Sequence, residues 1–129
     1  MDKWVRQMEK VDDYVKRALE LAKWSEDTRE NREKFSKICD EVLSEKDPLI
    51  ACCFAVDVSY KVKGIYEKLF NVQKFQNLVM QSDDDEIIYK FARDVKGADV
   101  RRVIDRLPNG YARKELSHNL KHIDEEKVF

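Results

Sequence analysis

Two histidines near the end of the 129-residue chain have the spacing of a metal-binding pair. His118 and His122 are four residues apart, so a helix would place both on one face, and Asp124 and Glu125 follow as candidate oxygen ligands. The residues between the histidines do not include the glutamate of a His-Glu-x-x-His zinc motif, and no cysteine lies close in sequence. We therefore predict a solvated helix end here, with no bound metal.

The three cysteines lack the spacing of a catalytic, metal-binding or disulfide-bonded set. Cys52 and Cys53 are adjacent within an apolar segment, where cysteine usually fills the core, and Cys39 belongs to no Cys-x-x-Cys motif. An odd number of cysteines, two of them adjacent, is a poor basis for a disulfide framework. Together with a charged N-terminus that lacks the apolar stretch of a signal peptide, this pattern predicts a cytoplasmic location.

The sequence contains no other motif of enzyme chemistry. Three glycines are too few for a phosphate-binding loop or a dinucleotide fingerprint, and no nucleophile elbow occurs. The acidic run 83–86 lacks the spaced ligands of a calcium loop and suits the start of a helix. The longest apolar run, residues 49–56, is far shorter than the roughly 20 residues that span a bilayer as a helix. We predict no enzymatic activity, no cofactor and no membrane partner.

Positive charge is concentrated in the last third of a nearly neutral chain. The formal net charge is −1, yet residues 88–122 contain nine lysines and arginines against four aspartates and glutamates. Arg102 and Arg106 are one helical turn apart, and such a basic stripe suits phosphates or an acidic protein surface. A solvated face with intrahelical pairs such as Arg101 with Asp105 is the alternative. The predicted partner-binding residues are Arg93, Arg101, Arg102, Arg106, Arg113 and Lys114.

The elements that carry these residues are predicted to be helices throughout. Hydrophobic residues make up 43% of the chain and charged residues 40%, and three glycines and two prolines are too few for the turns of a β-sandwich or barrel. Apolar residues of the first segment alternate in steps of four and three, which is typical of a helix packed in a bundle. This stripe consists of Trp4, Met8, Val11, Val15, Ala18 and Ala22.

Polar residues predict where the later helices begin. The segment 27–30 has the form of a capping box from Asp27 to Glu30. Asp47 and Pro48 suit the cap and the first turn of the most apolar helix, which we expect over residues 49–58. Further helices are expected over residues 62–69 and 75–79.

Two segments of the chain are similar to each other. Residues 47–58 and 84–95 are identical at six positions, and after one inserted residue the apolar positions of 62–69 match those of 100–107. The spacing is that of helical solenoid units, so we interpret the segments as two copies of a helix pair, with chance similarity of amphipathic helices as the alternative. The repeated Asp57 and Asp94 are predicted to hydrogen-bond to the start of the next helix.

One copy also resembles a known repeat. Residues 88–100, which read Ile-Tyr-Lys-Phe-Ala-Arg-Asp-Val-Lys-Gly-Ala-Asp-Val, resemble short helical units of the form IYxFAxDVKGAD that occur in tandem in bacterial and phage proteins. The copy at residues 47–69 lacks the Gly-Ala-Asp element. Because that family has no settled activity, the resemblance implies a helical array that acts as a scaffold, and a bacterial or mobile-element origin.

These patterns predict an all-α protein that forms a single helical domain over residues 1–129. An N-terminal helical hairpin over residues 1–46 precedes repeat 1 over residues 47–81. Repeat 2 and a short C-terminal helix occupy residues 82–129, and the two repeats are expected to stack as in a solenoid.

The predicted function is binding of another macromolecule without catalysis. A protein-binding adaptor or inhibitor is the favoured interpretation, and the resemblance suggests a phage-encoded inhibitor of a host defence complex. Nucleic-acid binding through the basic surface of residues 88–122 is the alternative. Self-association through residues 4–22 also stays open.

Overall fold

The computed structural model describes the backbone of residues 2–127 and the side chains of residues 2–120. That part of the chain contains eight α-helices and no strand, which confirms the predicted all-α class. Among its helices none is long and apolar enough to cross a membrane. The helices are α1 (Lys3–Ala22), α2 (Arg29–Ser44), α3 (Pro48–Ser59), α4 (Ile65–Phe70), α5 (Val72–Val79), α6 (Asp85–Asp94), α7 (Val100–Arg106) and α8 (Tyr111–Lys127).

Helices α1 and α2 pack against each other in opposite directions. Lys10 Nζ lies 3.0 Å from Glu45 Oε2 just beyond the end of α2, and the Tyr14 hydroxyl donates to the same carboxylate at 2.8 Å. One turn further along α1, Arg17 lies 3.3 Å from Glu41. Residue numbers thus rise along α1 as they fall along α2. Both helices also contact α3, the most apolar helix of the chain.

Aspartates begin the first helix of each of the two similar segments, as the sequence predicts. Asp47 Oδ1 accepts a hydrogen bond from the backbone N–H of Leu49 at 3.0 Å, and Pro48 occupies the first turn of α3. Asp84 caps α6 in the same way, accepting from the N–H of Glu86 at 3.0 Å. Each carboxylate satisfies a backbone donor that has no partner within its own helix.

The predicted capping box at the start of α2 is wrong by one residue. Thr28 is the cap, and its Oγ1 accepts from the N–H of Asn31 at 3.1 Å. The Asp27 carboxylate instead forms a two-point ion pair with Arg32, at 2.7 and 2.8 Å. A hydroxyl caps as well as a carboxylate can, and the arginine competes for the charged group.

Buried residues recur along the chain at a constant interval of 37. Each of the following pairs, whose numbers differ by 37, is buried at both positions: Ala51 and Ile88, Phe54 and Phe91, Ala55 and Ala92, Val58 and Val95, Tyr66 and Val103, Phe70 and Leu107, and Val79 and Leu116. The burial pattern therefore aligns the two segments without the inserted residue of the sequence alignment. Each segment contains three helices in place of the predicted pair, namely α3–α5 and α6–α8.

The turn that joins α6 to α7 is held by two side chains of the preceding segment. Ser59 Oγ accepts from the N–H of Lys96 at 3.1 Å. The fully buried Gln76 accepts from the N–H of Asp99 at 2.8 Å and donates to its carbonyl oxygen at 2.9 Å. Gly97, in the middle of the turn, has a φ of +85°, a conformation that favours glycine. The Val-Lys-Gly-Ala-Asp stretch of residues 95–99 is thus a joint between the two segments.

Two details of the C-terminal segment differ from the prediction. Asp94 pairs with Arg93 rather than with the start of the next helix, which is capped by Asp99 through the N–H of Arg102. Asp57, its counterpart in the first segment, is exposed. The last helix is also not short, because α8 extends over 17 residues. The flanking Arg93 provides the Asp94 carboxylate with two charge-assisted hydrogen bonds.

One hydrophobic core joins all eight helices. Its buried residues include Val11 of α1 at one end of the chain and Leu116 of α8 at the other. At its centre the rings of Phe54, Phe70 and Phe75 lie together, with the Phe70 and Phe75 centroids 4.7 Å apart in a stacked arrangement. This core fixes the ends of α1, α6 and α8 relative to one another.

Candidate functional site

A cleft of about 710 Å³ opens where the first turns of α1, α3 and α8 approach α6. Helix α6 supplies most of its lining, from the acidic first turn to Arg93 near the C-terminal end. Trp4 of α1 and Tyr111 of α8 line it from the two ends of the chain. A volume of this size is in the range of clefts that take a small ligand or a few side chains of a partner.

Two of the three aromatic residues that line the cleft are largely exposed. Trp4 is 58% exposed and Tyr111 79% exposed. Two other large aromatics of similar exposure, Trp24 at 67% and Tyr60 at 61%, do not line the cleft. Aromatic side chains gain most from leaving water, so two of them at one open cleft provide apolar area for a partner.

The predicted apolar stripe of α1 is wrong at Trp4, which is exposed and does not belong to the core. Val11 and Ala18 of that stripe are buried, as its spacing predicts. Trp4 lies in the first turn, ahead of Gln7, whose side chain hydrogen-bonds to Asp47 at 2.6 Å and marks where α1 meets the start of α3. The periodicity therefore gives the correct helix face, but that face extends beyond the part of α1 that other helices cover.

Carboxylates dominate the charge of the cleft. Asp84, Asp85 and Glu86 line it at the start of α6, and Lys90 follows one turn after Glu86. The guanidinium of Arg93 forms two hydrogen bonds of 2.9 Å with Asp94, which does not line the cleft. This pairing lowers the pKa of Asp94 and offsets the positive charge of Arg93. Three carboxylates thus face the single ammonium of Lys90.

Tyr89 links the cleft wall to α8. Its hydroxyl donates to the Glu115 carboxylate, which raises the pKa of Tyr89, and the Arg93 guanidinium lies 5.1 Å from the centre of its ring. These contacts hold Arg93 over the ring and hold α8 against α6, so the wall below Tyr111 is fixed before any partner binds.

The predicted partner-binding residues lie on three consecutive helices that contact one another. Arg93 is on α6, the next three on α7 and the last two on α8, and only Arg93 lines the cleft. Arg113 is half-buried and donates to Leu107 O and Asn109 Oδ1, both at 3.4 Å, so it stabilises the α7–α8 turn. The exposed residues of the set are Arg93, Arg101, Arg102, Arg106 and Lys114.

Burial makes the cysteine thiols poor nucleophiles. It raises the pKa of Cys39 and of Cys52 to about 12, and it also raises the pKa of the half-buried Cys53. All three are free thiols, and the Cys52 thiol lies 3.6 Å from the carbonyl oxygen of Ile87. Because of the raised pKa values, these thiols are almost entirely protonated at neutral pH. The thiolate is the reactive form, so they react slowly.

The histidine pair can be assessed only at its first member. His118 is exposed on α8, whereas the side chains of His122, Asp124 and Glu125 lie outside the described residues. Within residues 2–120 no group of three or more histidine, cysteine, aspartate or glutamate side chains is placed to hold a metal ion.

Comparison with known proteins finds no matching family model, no similar curated protein and no similar solved structure.

Proposed function

We propose that this protein acts by binding another protein, as an adaptor or an inhibitor without catalytic activity of its own. The observation that supports this best is the pair of exposed aromatics, Trp4 and Tyr111, at a cleft bordered by charged residues. Protein interfaces combine an aromatic or apolar centre with a polar rim, and a few aromatic or arginine residues supply most of the binding energy.

The arrangement of the helices supports a scaffold. We propose that α3–α5 and α6–α8 are two copies of one unit stacked as in a solenoid, next to an N-terminal hairpin of α1 and α2. The buried pairs spaced by 37 residues support this, as does the hydrogen bond between the equivalent positions Ser59 and Lys96. Solenoid units contact only their neighbours and present extended surfaces to partners.

A phage-encoded inhibitor of a host defence complex is the specific form of this proposal. Its support is the resemblance of residues 88–100 to repeats of phage and bacterial proteins. The exposed arginines of α7, which do not line the cleft, would then meet acidic residues of the partner outside it, where such charges chiefly increase the rate of association.

Nucleic-acid binding is the second candidate, because basic side chains are exposed on two adjacent helices. Arg101, Arg102 and Arg106 are exposed on α7, and Lys114 is exposed on α8. If these side chains contacted phosphates, log affinity would fall linearly with log salt, and the slope would decrease by about one for each contact removed.

The test compares three proteins that fold equally well in a thermal melt. They are the wild type, the double variant Arg102→Glu/Arg106→Glu and a control, Lys61→Glu/Lys63→Glu, which makes the same charge change at exposed residues elsewhere. Each is used to capture partners from a native lysate treated with nuclease, and is titrated with mixed-sequence single- and double-stranded nucleic acid across a salt series.

We expect a protein partner that survives nuclease, is captured by the control and is lost with the arginine variant. Nucleic acid should bind wild type only at about 10⁻⁴–10⁻⁶ M, as non-specific contacts do. Submicromolar, salt-steep nucleic-acid binding that the arginine variant loses would replace the protein-binding proposal with the second candidate.

A further inference from the structure

We infer that the cleft accepts a lysine or arginine side chain, with an adjoining apolar residue, from an exposed segment of the partner protein. This inference rests on the proposed function and adds the chemistry of the partner. It arises from two features that converge at one place, the exposed aromatic rings of Trp4 and Tyr111 and the excess of carboxylates along α6.

The aromatic rings fit a cation with an apolar stem. Indole and phenol rings attract lysine and arginine through their negative faces, within about 6 Å of the ring centre. The methylene stem of these side chains, together with an apolar neighbour, would cover the exposed area of Trp4 and Tyr111. The two rings come from opposite ends of the chain, so only the folded protein presents them together.

The charges of the cleft favour the same occupant. Arg93 is already paired with Asp94, so among the lining residues the charge of Lys90 is set against those of Asp84, Asp85 and Glu86. Asp84 also caps α6, yet its charge still contributes to the local field. A phosphate or an acidic peptide would meet repulsion here, whereas a cation would gain both carboxylates and rings.

The acidic start of α6 alone would not support this inference, because carboxylates commonly occupy the first turn of a helix. What the helix start does not explain is the position of Trp4 and Tyr111, which belong to other helices and lie beside it with most of their surface in water. Asp85 is moreover half-buried within the cleft wall, which strengthens its effect on a bound cation.

The chain contains two tryptophans, so one substitution makes Trp4 a reporter of the cleft. In the variant Trp24→Phe the only indole is that of Trp4, and in Trp4→Phe the only indole is that of Trp24, which lies outside the cleft. A displayed library of random peptides is selected on the Trp24→Phe protein. The enriched peptides, made without tryptophan or tyrosine, are then titrated while tryptophan emission is recorded.

We expect enriched peptides to carry lysine or arginine next to an apolar residue and to shift the emission of Trp4 but not of Trp24. Peptides with glutamate in place of the cation should bind at least about tenfold more weakly. Glu86→Lys should weaken the cationic peptides and Lys90→Glu should strengthen them. Tyr111→Ala should weaken them about tenfold or more, and Tyr60→Ala, a tyrosine of similar exposure outside the cleft, should leave them unchanged.

Enrichment of acidic peptides, or equal binding of cationic and acidic ones, would overturn the inference while the proposed function stands. An absence of any peptide that shifts Trp4 emission would also overturn it. The proposed function is decided separately by capture of a nuclease-resistant protein partner, which does not depend on the charge of the cleft.

Discussion

Individual side chains of this protein show how burial changes chemistry. Cys39 and Cys52 are buried in the core, and Cys53, next to Cys52 in sequence, is half-buried. Burial disfavours the thiolate, so the pKa of each thiol is raised, to about 12 for Cys39 and Cys52. Neighbours in sequence therefore differ in accessibility, since successive helix residues point about 100° apart.

We predict that iodoacetamide at neutral pH modifies Cys53 alone in the folded protein, and more slowly than a free thiol. The thiolate fraction and the access of reagent are both low at Cys39 and Cys52. Mass spectrometry of the labelled protein measures the sites. Cys53→Ser should abolish labelling, and denaturant should expose the remaining two thiols. Labelling of Cys39 or Cys52 in folded protein at the rate of Cys53 would contradict the assignment.

Sequence analysis identifies only some of the residues of the candidate cleft. The charge pattern includes Arg93 among the predicted contacts, but helix periodicity places Trp4 in a core stripe and predicts only a helix start for the acidic run 83–86. That helix start is confirmed, and Asp84, Asp85 and Glu86 of the run line the cleft as well. No local pattern links Trp4 to Tyr111, because their proximity depends on how α1 and α8 pack against the core, and helix periodicity does not encode that.

At the scale of helices, local capping chemistry is predictable where one residue dominates. Asp47 followed by Pro48 and the acidic run ending at Glu86 predict the starts of α3 and α6 correctly. At the start of α2 several polar residues compete, and Thr28 prevails because Asp27 is taken by Arg32. Which polar residue pairs with which cation is decided by side-chain geometry in the folded state, beyond what spacing shows.

Sequence analysis does not identify Gln76 for the same reason. Its position on α5 gives no sign that its amide will meet the backbone of the α6–α7 turn. In the structure it makes two hydrogen bonds to Asp99 and is fully buried. A buried amide that satisfies both backbone groups of one residue acts as a fixed joint between helices.

We predict that Gln76→Leu lowers the free energy of unfolding by about 1–3 kcal/mol, because the part-buried N–H and carbonyl groups of Asp99 would lose their protein partners. Urea denaturation followed by circular dichroism measures the change. The control is Gln73→Leu, which makes the same substitution on an exposed position of α5 and should alter stability by no more than about 0.5 kcal/mol. Equal effects of the two variants would show that the joint contributes nothing.

For the molecule as a whole, the sequence predicts the helical class and the similarity of its two segments. The helices expected over residues 62–69 and 75–79 correspond to α4 and α5, which meet at Asn71, a residue in a left-handed conformation with φ of 51°. The sequence does not predict that the interval of 37 continues into a third helix of each segment, at the buried pair Val79 and Leu116, because the sequence alignment ends at residues 69 and 107.

Phe54 and Phe91 test the correspondence of the two segments. Both are fully buried at positions that differ by 37, and each replacement by alanine should cost about 3–5 kcal/mol of folding free energy. Chemical denaturation monitored by the helical circular dichroism signal gives the values, with the exposed Tyr60→Ala as a control. A cost below about 1 kcal/mol at either phenylalanine would mean that the segments are not equivalent in packing.

The groups that form the joint between the segments are synthesised in a fixed order. Its acceptors, Ser59 and Gln76, precede in the chain the N–H groups of Lys96 and Asp99 that they bind. During synthesis the ribosome therefore releases both acceptors before the turn that needs them, and the turn can be satisfied as soon as it emerges. A circular permutant that began at residue 82 would reverse this order. Its turn would stay hydrated until the last third of the chain, which supplies Ser59 and Gln76, had been synthesised.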